Sequence, residues 1–156
     1  MPHCNPTIMA ITTSAITSSF KNELLGTNAG NFAVTSGDIF KLALYTDSSV
    51  IGPSLGSYTT VGQVTDATGD YSAGGKDLAR SGQTHKLSGT TAIVDFANLS
   101  YLTATITAMG ALIYNTSQEN RSVAVLDFVS NKVSTSGTFT IQFPAFNATE
   151  AIIRLA

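Results

Sequence analysis

Residues 101–114, YLTATITAMGALIY, set small polar side chains against apolar ones in alternation. A period of two belongs to an extended strand with one face toward a core, whereas a helix would need a period near 3.6. The spacing predicts one long strand here, with a bulge near Gly110. Comparable phrases lie on either side. IFKLALYT, residues 39–46, is β-branched and aromatic, and it is apolar on both faces apart from Lys41, as a central strand would be. TAIVDFA (91–97), SVAVLDFV (122–129) and TFTIQFP (138–144) read as further strands, the last with Phe139, Ile141 and Phe143 on one face; AIIRLA closes the chain as another. The polar stretches NTSQEN and SNKVSTSG read as the turns between them.

No strand–helix–strand alternation interrupts this series, so the expected fold is mainly β, an antiparallel β-sandwich or jelly-roll-like barrel. One short N-terminal helix is expected in ITSSFKNELLG, where Ile16, Phe20 and Leu24 share a helical face, Gly26 can end the helix and no capping box is present. Residues 1–15, with Pro2, Pro6 and much Thr and Ser, read as an extended arm, and residues 16–156 as a single β-domain. The passage from 47 to 88 is long, polar and weakly periodic, and connections of that length are uncommon without a function or a partner.

The 156 residues suit one domain with an ordinary core. Only 12% of them are charged, the net charge is -2 and the mean hydropathy is +0.19, so much of the polarity comes from Thr, Ser, Asn and Gly. Low charge with apolar surface favours association. Eight Lys and Arg against ten Asp and Glu offer no footprint for neutralising phosphates, which argues against DNA and RNA as partners. No apolar run is long enough for a membrane helix, and no signal peptide is expected in MPHCNPTIMAITTSAITSSF. Cys4 is the sole cysteine, so folding in a reducing cytoplasm is the expectation.

Several patterns invite a chemical reading, and each has a plainer one. GDYSAGGKDLA (69–79) approaches a phosphate-binding loop, but Gly75 follows Gly74 where Lys belongs, and Asp77 replaces the metal-holding hydroxyl. Glycines supplying positive φ are the simpler account. GPSLG (52–56) spells a nucleophile elbow around Ser54, with Asp66, Asp70 or Asp77 and then His85 in triad order. That elbow needs a strand before it, a helix after it and a parallel sheet beneath, none of which is expected. Asp95 and Asp127 occupy the matching phrases IVDFA and VLDFV, and paired strand carboxylates serve as acid and base in glycosidases, yet pairing with Lys41, Arg121 or Arg154 or bonding to turns is the simpler expectation. His3, Cys4 and His85 show no zinc spacing, and the loop from Asp66 to Asp70 lacks a calcium-ligand ladder. The Asn-x-Ser/Thr triplets at Asn98, Asn115, Asn120 and Asn147 matter only in a secreted eukaryotic protein. No catalytic, cofactor-binding or metal-binding residue is therefore assigned, and no enzyme activity is expected.

Read in order, FKNELLG, DIFKLALYT, YSAGGKDL, TAIVDFANLSY, ALIYN, VAVLDF, FTIQFP and AIIRLA resemble a family of small virion structural proteins of tailed bacteriophages. The resemblance spans residues 20–156 and leaves the arm uncovered. It implies a particle component without catalytic residues, located in the virion after synthesis in the bacterial host cytoplasm. The expectation is a capsid cement or decoration protein, a cyclic homotrimer, that bridges major capsid protein subunits on the outside of the head. The apolar second faces of its strands would pack on copies of itself or on the shell, and the arm would reach across a neighbouring subunit. The alternatives are a tail tube, baseplate or adsorption component, and a carbohydrate-binding β-sandwich that stacks sugars on Tyr45, Tyr58, Tyr71, Tyr101 or Tyr114.

Overall fold

The computed structural model describes residues 14–26, 30–33, 36–46, 51–65, 67–80 and 85–156. Apart from Ser14 and Ala15, the expected arm lies outside the described residues, as do His3, Cys4 and Asp66. The elements are β1 (Ala15–Ile16), α1 (Ser18–Leu24), β2 (Phe40–Tyr45), β3 (Lys76–Asp77), β4 (His85–Ser88), β5 (Thr91–Val94), β6 (Leu99–Asn115), β7 (Arg121–Ile141) and β8 (Ile153–Leu155). They form a five-stranded sheet in the order β1-β7-β6-β2-β3 and a three-stranded sheet in the order β4-β5-β8. Every strand pairing is antiparallel. The fold is thus mainly β and sandwich-like, with one short helix and no closed barrel. Its core joins the two sheets: Val94 and Ile153 of the smaller one cluster with Leu42, Leu44, Ile106 and Ile113 of the larger.

β6 shows how the alternating sequence becomes packing. Ala104, Ile106 and Ala108 are buried while Thr105 and Thr107 are exposed. Tyr101 is also buried, three positions before Ala104, because the ladder shifts register between them and Thr103 takes φ 51°. From Ala111 onward every residue of the strand is buried, since β2 and β7 flank it and apolar groups cover both faces. The bulge expected near Gly110 is present, with its extra residues on the partner strand. Gly110 pairs with Asp127 and Ala108 with Lys132, so Phe128–Asn131 stand opposite Met109 alone.

SNKVSTSG is not a turn. Lys132, Val133, Ser134 and Gly137 pair with Ala108, Thr107, Ile106 and Ala104, so β7 runs unbroken through the stretch and reaches 21 residues. Ser and Thr suit an exposed strand as well as a turn, and the long neighbouring ladder decides between the two. NTSQEN does turn the chain between β6 and β7, with Glu119 and Asn120 at φ 53° and 57°.

Helix α1 has seven residues, too few to persist in water unaided. Thr17 caps it by accepting the Phe20 N–H at its Oγ1 (3.4 Å). Phe20 is buried, while Ile16 and Leu24 pack beside it on the core as the spacing predicts. Arg121 Nη1 reaches Glu23 Oε1 at 2.9 Å and so ties the helix to the start of β7.

The long polar passage has a structural task within the chain. Ile51, Leu55 and Tyr58 pack on Ala43, Tyr45, Leu112, Tyr114 and Val125, forming a second apolar cluster on the far side of the sheet. The apolar second face of β2 and β6, expected to be covered by a neighbour, is therefore covered by residues 51–58 of the same chain. Burying it internally supplies stabilisation of about 1.5–3 kcal/mol per large apolar side chain without any partner.

Candidate interaction surface

The structure disperses the residues that invited catalytic readings. Gly69, Gly74 and Gly75 all adopt positive φ, at 80°, 90° and 78°. A Cβ on Gly75 would strike the Leu42 carbonyl oxygen, and one on Gly69 would strike that of Thr103, so both glycines let the loop lie directly against the sheet. Lys76 Nζ sits 2.6 Å from Asp70 Oδ2 and donates to the Ser100 carbonyl at 3.3 Å. Its hydrogen bond holds the Asp70 carboxyl below the usual carboxylate range. The cation that would serve a phosphate instead joins the loop to itself and to β6.

Ser54 is exposed on a turn closed by the Leu55 N–H and the Gly52 carbonyl (3.0 Å), with no helix after it and an antiparallel sheet below. Asp95 follows β5 in the smaller sheet and Asp127 lies on β7 in the larger. Asp95 is buried and its Oδ1 accepts the Phe96 N–H at 2.8 Å; burial pushes its carboxyl up. Asp127 Oδ1 accepts the Val129 N–H at 2.8 Å. Neither carboxylate pairs with the expected cations among the described residues. Lys41 faces Asp77 at 3.6 Å, Arg121 holds Glu23 and Glu119, and Arg154 donates to the Thr149 carbonyl. Among the described residues no group of three His, Cys, Asp or Glu is placed to hold a metal ion, and no helix is long and apolar enough to cross a membrane.

The tyrosines serve the interior. Tyr45, Tyr71, Tyr101 and Tyr114 are buried, and Tyr58 stacks on Tyr114 with centroids 4.6 Å apart. The Tyr45, Tyr101 and Tyr114 hydroxyls donate to the carbonyls of Thr59 (2.5 Å), Leu42 (3.1 Å) and Gly74 (2.7 Å). The Tyr71 hydroxyl accepts the Leu44 N–H at 3.1 Å, and the Tyr58 hydroxyl donates to Gln63 Oε1. Burial, the largest cause in each case, raises all five phenols, with Tyr71 and Tyr114 reaching about 12. These rings join loops to strands and offer no flat exposed platform for a sugar.

Large apolar side chains are exposed at scattered positions, Leu25, Ile39, Val61 and Leu102 among them, and also on β7 and on the three-stranded sheet. On β7, Val129 is 82% exposed and Val133 64%, in a stretch from Ser130 to Thr138 whose only charge is Lys132. Beside it runs a groove of about 380 Å³ between Phe128, Val133, Phe139 and Ile141. On the three-stranded sheet, Ala92 pairs with Leu87 on one side and Leu155 on the other. Their face continues the one that buries Val94 and Ile153, yet Leu87 is 72% exposed. Reading SNKVSTSG as a turn hid the first patch; the β-branched Val133, Thr135 and Thr138 within and beside it were the available signal.

No family model, curated protein or solved structure matches the chain.

Proposed function

We propose that this chain is a structural protein of a tailed-bacteriophage virion, a cement protein that binds the outside of the head and bridges neighbouring major capsid subunits. The observation that carries the reading is the number of exposed large apolar side chains, Val129 and Val133 on β7, Leu87 on β4 and Leu25, Ile39, Val61 and Leu102 elsewhere, on a chain with few charges. Such surface favours burial against a protein neighbour. The ordered phrases from FKNELLG to AIIRLA supply the kind of neighbour through their resemblance to phage virion proteins. The role is mechanical: a subunit that binds the expanded shell more tightly than its broken fragments shifts the balance toward the intact shell.

The test is to add purified protein to capsid shells that lack it. Cement protein adds to the shells at a fixed stoichiometry of hundreds of copies and raises the temperature at which they rupture. Failure to bind any shell, or absence of the protein from purified virions, overturns the reading. A number in the tens per virion reassigns it to a baseplate or appendage, and assembly into rings or tubes without heads reassigns it to the tail tube.

A further inference from the structure

One face of the three-stranded sheet is only partly used by the core. Val94 and Ile153 on that face are buried against the larger sheet, while Leu87 and Leu155, flanking Ala92 farther along the same face, are exposed. These residues line an apolar groove of about 200 Å³, and no Asp or Glu lines it. Lys86 does line it, and Arg154 stands in register with Lys86 across Ile93. Among the described residues neither cation has a carboxylate within ion-pair distance. Lys86 Nζ rests over the Phe146 ring, 4.4 Å from its centroid, and Arg154 donates to the Thr149 carbonyl.

Val129 has the complementary form. It is a β-branched residue held at φ 66° in the β7 bulge, a conformation that such side chains rarely adopt, with most of its surface exposed. Asp127 fixes it there by accepting the Val129 N–H at Oδ1, and no Lys or Arg among the described residues lies within ion-pair distance of that carboxylate. The result is an aliphatic knob with an unneutralised carboxylate at its base. The other exposed apolar side chains lack this combination. Near Leu25 the carboxylate of Glu23 is held by Arg121, near Leu102 that of Asp70 is held by Lys76, and beside Ile39 that of Asp38 accepts from Asn31 and Asn115. Val133 has a cation, Lys132, as its neighbour.

We infer that Val129 of one copy of this chain seats in the Leu87–Leu155 groove of a second copy, with its Asp127 toward Lys86. Apolar burial supplies the attraction, and the opposite charges set the register. Pairing two grooves face to face would instead set Lys86 against Lys86. Because knob and groove lie on different sheets, the contact is head-to-tail: every copy keeps one of each to offer, and the assembly closes into a ring or grows as a filament. Purified protein forms this contact with no capsid present, so it is measured separately from shell binding.

The first measurement is sedimentation of the purified full chain across micromolar concentrations, where concentration-dependent species beyond a dimer are expected. Val129→Gly removes the knob and suits the positive-φ backbone, so its unfolding midpoint should stay close to that of the wild type while association weakens at least about tenfold. Lys86→Glu should weaken association as well, and Leu25→Ala, at an exposed apolar site elsewhere, should leave it unchanged. In a Cys4→Ser background, Val129→Cys and Leu87→Cys chains mixed under mild oxidation should give a disulfide-linked heterodimer in excess of either homodimer. A wild-type chain that sediments as a monomer, a Val129→Gly or Lys86→Glu variant that associates as the wild type does, or cysteine variants that cross-link mainly to themselves overturns the inference.

Discussion

Leu112 and Ile113 are adjacent on β6, fully buried, and committed to opposite apolar clusters. Successive residues of a strand point to opposite faces, so complete burial of both means that the sheet is covered on both sides by its own chain. Leu112→Ala and Ile113→Ala should each cost about 2–5 kcal/mol of unfolding free energy, measured by denaturant titration of the isolated protein. A near-neutral Leu112→Ala would mean that residues 51–58 do not seal that face in solution.

This two-sided burial also marks the limit of what the sequence made legible. Apolar residues on both faces of residues 39–46 announced a central strand, and the period of two in residues 101–114 placed β6 and its irregularity near Gly110. What covers the second face was not legible, because Ile51, Leu55 and Tyr58 are isolated apolar residues in a passage of Gly, Ser and Thr without periodicity. Their contribution comes from tertiary contact alone. For the interaction surface the difficulty was different: Ser130–Gly137 contains residues at home in turns and in exposed strands alike, and only pairing with β6 separates the two.

Two groups converge on the Leu42 carbonyl: the Tyr101 hydroxyl donates to it at 3.1 Å, and the backbone of Gly75 passes so close that a Cβ would collide with it. Tyr101→Phe should cost about 1 kcal/mol, the net value of a buried hydrogen bond. Gly75→Ala should cost more, about 1–3 kcal/mol, because it adds positive-φ strain to the clash. Since both changes act on one carbonyl, the double variant should depart from additivity in a thermodynamic cycle. A Gly75→Ala variant as stable as the wild type would place the 69–79 loop away from β2.

The buried phenols set an alkaline limit. Tyr71 and Tyr114 are raised from 10.0 to about 12, with burial as the leading cause. Below pH 10 these groups are neutral in both states and contribute no pH dependence. Between about 10 and 12 the unfolded chain releases protons that the folded chain retains, so stability falls as pH rises through that window. Denaturant titrations from pH 8 upward should show the decline setting in near 10, and tyrosinate absorbance should appear together with loss of the fold. Full ionisation of the tyrosines near pH 10 with the fold intact would show that the rings are solvated.

Asp95 carries the opposite kind of lesson, since its charge opposes the fold. It is 2% exposed, its Oδ1 accepts the Phe96 N–H, and burial raises its carboxyl above the ordinary value of 3.8. A raised folded-state value means that the neutral form is the better tolerated one; stability linked to that form is complete below pH 3.8 and is lost as pH rises through the folded value. Asparagine at this position can still accept the Phe96 N–H and carries no charge to desolvate. Asp95→Asn should therefore be more stable than the wild type at neutral pH, and the advantage should vanish as pH falls toward 3.8. Denaturant midpoints of the two proteins across that range make the comparison. If the substitution destabilises the protein at neutral pH, the carboxylate has a cationic partner in solution and its charge supports the fold.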